Sequence, residues 1–225
     1  MGTWLSTDDH KRVSDAVALA ESHTSGEIVT VVADRSDGYS DVMFAWAALV
    51  AFTALAAFAF VPQFYLGLIE SVLGGWNHEW TDREILGIAT AIAIVKFVAT
   101  WAILHWQPLR FLLVPPPIKT SRALARAIDL FKVGAERRTH GRTGILIYLS
   151  MREHRAEIVA DEAIASKVPP ETWGEAMAAM LVEIKAGRCA DGMIAAVQQV
   201  GNVLAEHFPR AEDDQNELPD RLIEL

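Results

Sequence analysis

Two apolar runs decide what this chain can become. Residues 42–61 read VMFAWAALVAFTALAAFAFV, and residues 85–106 read ILGIATAIAIVKFVATWAILHW. A helix needs roughly 20 apolar residues to cross the ~30 Å hydrocarbon layer of a bilayer, and each run has that length. No charged side chain occurs from Val42 to Ile69, and from Ile85 to His105 there is one, Lys96. Pro62 ends or kinks the first run. Trp46 opens it, and Trp76, Trp80, Trp101 and Trp106 flank the second, as in an interfacial belt. The expected unit is a two-helix transmembrane hairpin over 42–117, with the lipid bilayer as its first partner.

The rest of the chain is soluble in character. The 225 residues are 52% hydrophobic yet carry a formal net charge of −9. The apolar excess is concentrated in the two runs, and nearly all the charge lies outside them. An acidic chain of this kind is not expected to bind nucleic acid. Cys189 is the single cysteine, and the seven histidines show no metal-ligand spacing. The first residues, MGTWLSTDDHKRVSDAVALAESH, have no apolar core of a signal peptide and read as a helix capped by Ser6 or Thr7.

EIVTVVA (27–33) reads as a buried strand, but a lone strand does not fold. Two membrane crossings return the chain to the side it left, so the remainder of that domain is expected after residue 117. There, IKTSRALARAIDLFKVGAERRTHG (118–141) has a helical apolar face, with Thr120 or Ser121 as cap and Gly141 as stop. RTGILIYLS (142–150) is a nearly continuous apolar strand, and RAEIVAD (155–161) follows after a four-residue turn, which predicts an antiparallel hairpin. Helices are expected over 169–187, with proline at its start and Gly187 at its end, and over 191–208, with Asp191 as a cap. The acidic segment 209–225 is expected to be a flexible tail. Because strand 27–33 reaches 142–150 through a helix, the two can lie parallel. The predicted fold is α/β: a three-layer α/β/α sandwich with a small mixed sheet, interrupted by the hairpin, its soluble parts being 1–41 and 118–208.

TSGEIVTVV, GRTGILIYLS, RAEIVAD and the following helix with Trp173, in this order, resemble the TPM domain family. The likeness is strongest to its bacterial branch, in which a transmembrane hairpin interrupts the domain. It implies an α/β/α sandwich. Some family members are acid phosphatases, some bind calcium, and others serve as assembly or auxiliary proteins. Where the family commonly carries a glycine-rich GYGLE, this chain reads Asp161-Glu162-Ala163-Ile164-Ala165.

Geometry narrows the polar candidates. Glu27 and Arg142 begin their strands at one end of the predicted sheet, and Asp161 and Glu162 finish theirs at the same end. Glu27, Asp161 and Glu162 could hold a hard cation such as calcium, or Arg142 could neutralise them as a structural ion-pair cluster. Asp34, Asp37 and Asp41 form a second acidic group at the opposite end, and His23, His140 and His154 are scattered polar residues with no nucleophile beside them. Lys96 is a charge within a span, read either as snorkelling or as an oligomer contact or ion pathway. Arg110, Lys119, Arg122 and Arg126 follow the second span, whereas loop 62–84 holds Arg83 among four acids. That bias predicts an inner, bacterial-type membrane location with both termini cytoplasmic. The leading functional expectation is a membrane-anchored interaction, assembly or auxiliary factor with a membrane-protein partner or a second copy of itself. The alternatives are a metal-dependent acid phosphatase and a transport-complex subunit in which Lys96 matters.

Overall fold

The computed structural model describes residues 4–73, 79–134, 143–211 and 216–225. The chain divides into two compact units, Met1–Asp37 with Pro116–Leu225, and Gly38–Pro115.

The first unit is built on a four-stranded mixed sheet of order β3-β2-β1-β4. Strands β1 (Glu27–Ala33) and β2 (Gly144–Ser150) are parallel, with Glu27 opposite Gly144 and Ala33 opposite Ser150. They are neighbours in space although the whole second unit lies between them in sequence. β3 (Arg155–Ala160) is antiparallel to β2, as its four-residue turn predicts. His154 closes that turn at φ 51°, a left-handed conformation that histidine adopts more readily than most residues.

Every residue of β1 and β2 is buried, which explains their unbroken apolar sequence. Alternation sorts them between two cores. On one face Ile28, Val32, Ile145, Ile147 and Leu149 pack with α1 (Thr7–Glu21), α8 (Trp173–Lys185) and α9 (Cys189–His207). On the other, Val29, Val31, Ala33, Leu146 and Tyr148 meet Ala123, Ala127 and Phe131 of α6 (Pro116–Gly134). The result is helix, sheet, helix: the predicted three layers.

Local chemistry sets the helix ends. Ser6 caps α1 in a reciprocal box with Asp9. Helix α6 starts at Pro116, because prolines fit a first turn that needs no N–H partner, so the expected caps Thr120 and Ser121 lie inside the helix. Its expected stop, Gly141, lies outside the described residues. The helix expected over 169–187 is a 3₁₀ turn, Pro170–Thr172, leading into α8, and Gly187 then turns the chain at φ 79°. Asp191 does not cap α9. It lies in the first turn, where its carboxylate pairs with Arg12 of α1. A one-turn helix, α7 (Glu162–Ala165), follows β3.

The segment expected to be a flexible tail is the main departure. Residues 216–225 pack along the sheet: Leu218 and Leu222 are buried, and β4 (Ile223–Glu224) runs parallel to β1. Leu225 N donates to Val32 O at 2.9 Å, and Asp34 N donates to Leu225 O at 2.8 Å. Without β4, the outer side of β1 would be an open edge of backbone groups. Satisfying that edge and burying two leucines outweighs the acidic composition of the segment.

The second unit holds the two apolar helices, α2 (Ser40–Phe60) and α4 (Asp82–Ile103), packed on one another with Phe44 stacked on Phe97. Both are long and apolar enough to cross a membrane. In α4 none of the most apolar window is buried, and in α2 28% is. Thr81 and Glu84 form a capping box that starts α4 earlier than the apolar run itself. Two short helices, α3 (Pro62–Leu73) and α5 (Gln107–Leu113), complete the unit. Lys96 lies on α4 with its side chain exposed.

Candidate functional site

Parallel pairing of β1 and β2 gives the sheet two chemically distinct ends. At the amino ends of these strands, Glu27 and Asp161, two of the four expected cluster residues, flank Gly144 from opposite sides. Both carboxylates are buried. Asp161 accepts from Gly144 N at 3.2 Å, while its own N–H donates to Gly144 O at 2.9 Å. Glu27 accepts from the backbone of the docked C-terminal segment, Glu217 N at 3.3 Å and Leu218 N at 3.1 Å. Both carboxylates thus accept from main-chain donors. Glu162 is exposed at the start of α7. Arg142, the fourth member of the expected cluster, lies outside the described residues, as does His140. Among the described residues no three of His, Cys, Asp and Glu are grouped to hold a metal ion. Main-chain donors therefore reach both buried carboxylates at this end of the sheet.

The sequence analysis missed a third acid at this end. Glu21, the last residue of α1, is buried, and its Oε1 accepts from Ile28 N at 2.7 Å. Its Oε2 has no partner among the described residues. Burial first, and then the neighbouring charges of Glu27 and Asp220, push its pKa up to about 8. The signal available in the sequence was a glutamate on the same helical face as Val13 and Val17, where a leucine would be ordinary.

The carboxyl ends of β1 and β2 are the opposite pole, where open α/β sheets usually present ligand-binding crevices. Asp34 and Asp37, two members of the second acidic group, are held by arginines. Arg152 Nε donates to both oxygens of Asp34 at 2.9 Å, and Arg122 Nε lies 3.2 Å from Asp37 Oδ2. Asp41, grouped with them in sequence, belongs to the first turn of α2 in the other unit. Beneath these pairs is a buried polar network. Glu153 is 2% exposed and accepts from Ser36 N at 2.9 Å and from the Ser150 hydroxyl. The Tyr148 hydroxyl lies 3.0 Å from Ser36 Oγ, and burial raises the tyrosine's pKa. Arg155 Nε donates to Thr120 Oγ1 at 2.9 Å, tying the β2–β3 turn to α6.

His23 lines a shallow cavity of about 300 Å³ between α1 and α9, beside Ala16, Ala20, Gly201 and Ala205. His154 is exposed in the β2–β3 turn. Burial raises the pKa of the Cys189 thiol to about 11, which disfavours the thiolate at neutral pH.

Comparison with known proteins bears out the family resemblance and the fold. The family described as the TPM domain matches residues 110–203, which include α6, β2, β3, α7, α8 and most of α9. The NMR structure of BA42 protein from the psychrophilic bacterium Bizionia argentinensis is similar, with a TM-score of 0.57 and 18% identity over 100% of this chain and 98% of that one. At that identity the likeness speaks to fold alone. No curated protein matches the sequence.

Proposed function

Because residues 110–203 match the TPM domain family, we propose that the chain is a membrane-anchored docking protein. In this reading Gly38–Pro115 is the anchor, and the α/β/α unit is an interaction or assembly module on the inner face of a bacterial-type membrane. The observation that carries it is the insertion itself. β1 and β2 share one parallel register, and between them the chain makes two paired helices whose outward surface is apolar. Phe52, Phe60, Leu86 and Val95 are all more than 60% exposed. A pair of helices with such a surface needs a lipid or protein cover. The charge bias of the flanks favours cytoplasmic termini. Binding rather than hydrolysis is the reading we favour, because buried Glu27 and Asp161 accept from backbone donors while Asp34 and Asp37 pair with arginines.

Two measurements test this. Alkaline carbonate washing of membranes should leave the full chain in the pellet, and its release into the supernatant would sink the anchor. Cysteines placed at exposed Ser71 and Ser166, with Cys189 replaced by serine, should differ towards an impermeant thiol reagent on intact cells. Labelling at 71 alone fits cytoplasmic termini, and labelling at 166 alone would reverse the orientation.

A further inference from the structure

The carboxyl end of the sheet carries a cationic face that the polar network does not consume. Lys119, Arg122 and Arg126 recur at helical spacing along α6, Arg35 follows β1, and Arg152 and Arg155 bracket the β2–β3 turn. The contacts already described hold these segments together: Arg122 with Asp37, Arg152 with Asp34, and Arg155 with Thr120. The carboxylates at this pole are matched. Asp34 and Asp37 face arginines, and Glu153 is buried among its donors. Burial raises the pKa of Glu157, half-buried on β3, and nearby Arg155 partly opposes that rise. Asp129 is farther along α6. Arg35, Lys119 and Arg126, by contrast, make no ion pair among the described residues. A surplus of positive charge on one face of a chain with net charge −9 is local, so it marks that face.

The same face contains both points where this unit connects to the apolar helices, Asp37 and Pro116. We infer that the face formed by Arg35, Lys119, Arg126 and Arg155 docks on the anionic phospholipid headgroups of the membrane in which the chain is anchored. This rests on the membrane-anchored reading and adds to it a definite partner for the α/β/α unit. The chemistry is that of juxtamembrane cations held near an anionic leaflet, where each adds roughly fivefold to the docked population and the effect fades within a Debye length. Four such cations suffice without any built pocket.

The test uses the full chain in phosphatidylcholine vesicles with and without phosphatidylglycerol. An environment-sensitive fluorophore at exposed Ser121, introduced as cysteine in a Cys189→Ser background, reports docking. Phosphatidylglycerol should shift its emission, and high salt should reverse the shift. The combined variant Arg35→Gln, Lys119→Gln and Arg126→Gln should lower the ratio of docked to free by roughly 100-fold at low salt. Those side chains hold no ion pair among the described residues, so circular dichroism and Tm should stay as in the parent. No response to phosphatidylglycerol in vesicle-bound chain would overturn the inference, as would a response unchanged in the triple variant. Failure of the chain to associate with phosphatidylcholine vesicles at all would instead remove the anchor on which it rests.

Discussion

Asp161 and Gly144 exchange a pair of hydrogen bonds at the amino end of β2: the aspartate N–H donates to the glycine carbonyl, and its carboxylate receives the glycine N–H. The aspartate therefore continues the β3 ladder by one residue and closes it with a side chain. Glu27 stands opposite the same glycine on the other side. Two acids anchor the start of a strand that follows residues 135–142.

Asp161→Ala should leave the Gly144 N–H buried without its acceptor and cost about 1–3 kcal/mol. Asp161→Asn keeps an oxygen acceptor and should cost less. Urea unfolding of the detergent-solubilised chain, followed by far-UV dichroism, measures both. A rise in Tm on adding calcium that vanishes in Asp161→Asn would transfer this residue from a structural to a ligand-binding role.

Glu21 makes stability depend on pH. Its folded pKa, about 8, lies above the ordinary glutamate value of 4.5, so between these limits the folded state holds a proton that the unfolded state has released. Stability is then fully present below about 4.5 and declines as pH rises towards 8. The loss amounts to a few kcal/mol, screened by whatever solvent reaches the site. Glu21→Gln keeps the acceptor for Ile28 N and removes the ionisation, so it should flatten this decline and raise Tm at pH 8. A parallel decline in variant and parent would show that another group is responsible.

Thr30 is fully buried in β1, and its hydroxyl has no partner among the described residues. It shares a face with Ile28 and Val32, against α1 and α9. Thr30→Val has nearly the same shape and removes the unsatisfied group. It should stabilise the fold by about 1 kcal/mol in denaturant titration. A loss of stability would mean that the hydroxyl has a partner, such as an internal water.

The C-terminal segment should behave as part of the fold. Leu218→Ala and Leu222→Ala each remove a buried side chain and should cost about 2–4 kcal/mol. Hydrogen exchange should show the amide of Leu225 protected, since it donates to Val32. Exchange at the rate of free peptide there, with both alanine variants neutral, would restore the picture of a flexible tail.

Much of the architecture is local and can be read along the chain. The box formed by Ser6 and Asp9, the two apolar helices, the hairpin of β2 and β3 and the helices around Trp173 and Met193 each depend on residues within a few turns of one another. The pairing of β1 with β2 was also legible, because two long apolar helices bring the chain back and the helix after them forces a parallel crossover. Strand β4 was not. Two residues carry no periodicity, and Ile223 and Glu224 become a strand only because β1 presents an unfilled edge. Arg152 finds Asp34 only once the register sets Ala33 opposite Ser150. Glu153 looks like a turn residue and is buried because Ser36 and Ser150 converge on it from two strand ends. The sequence by itself determined which segments are helix, strand and apolar hairpin, since those choices are made by neighbours. Which charges are buried, and what reaches them, was decided by tertiary structure, because the donors to Glu21, Glu27, Glu153 and Asp161 arrive from strands and segments that only folding brings together.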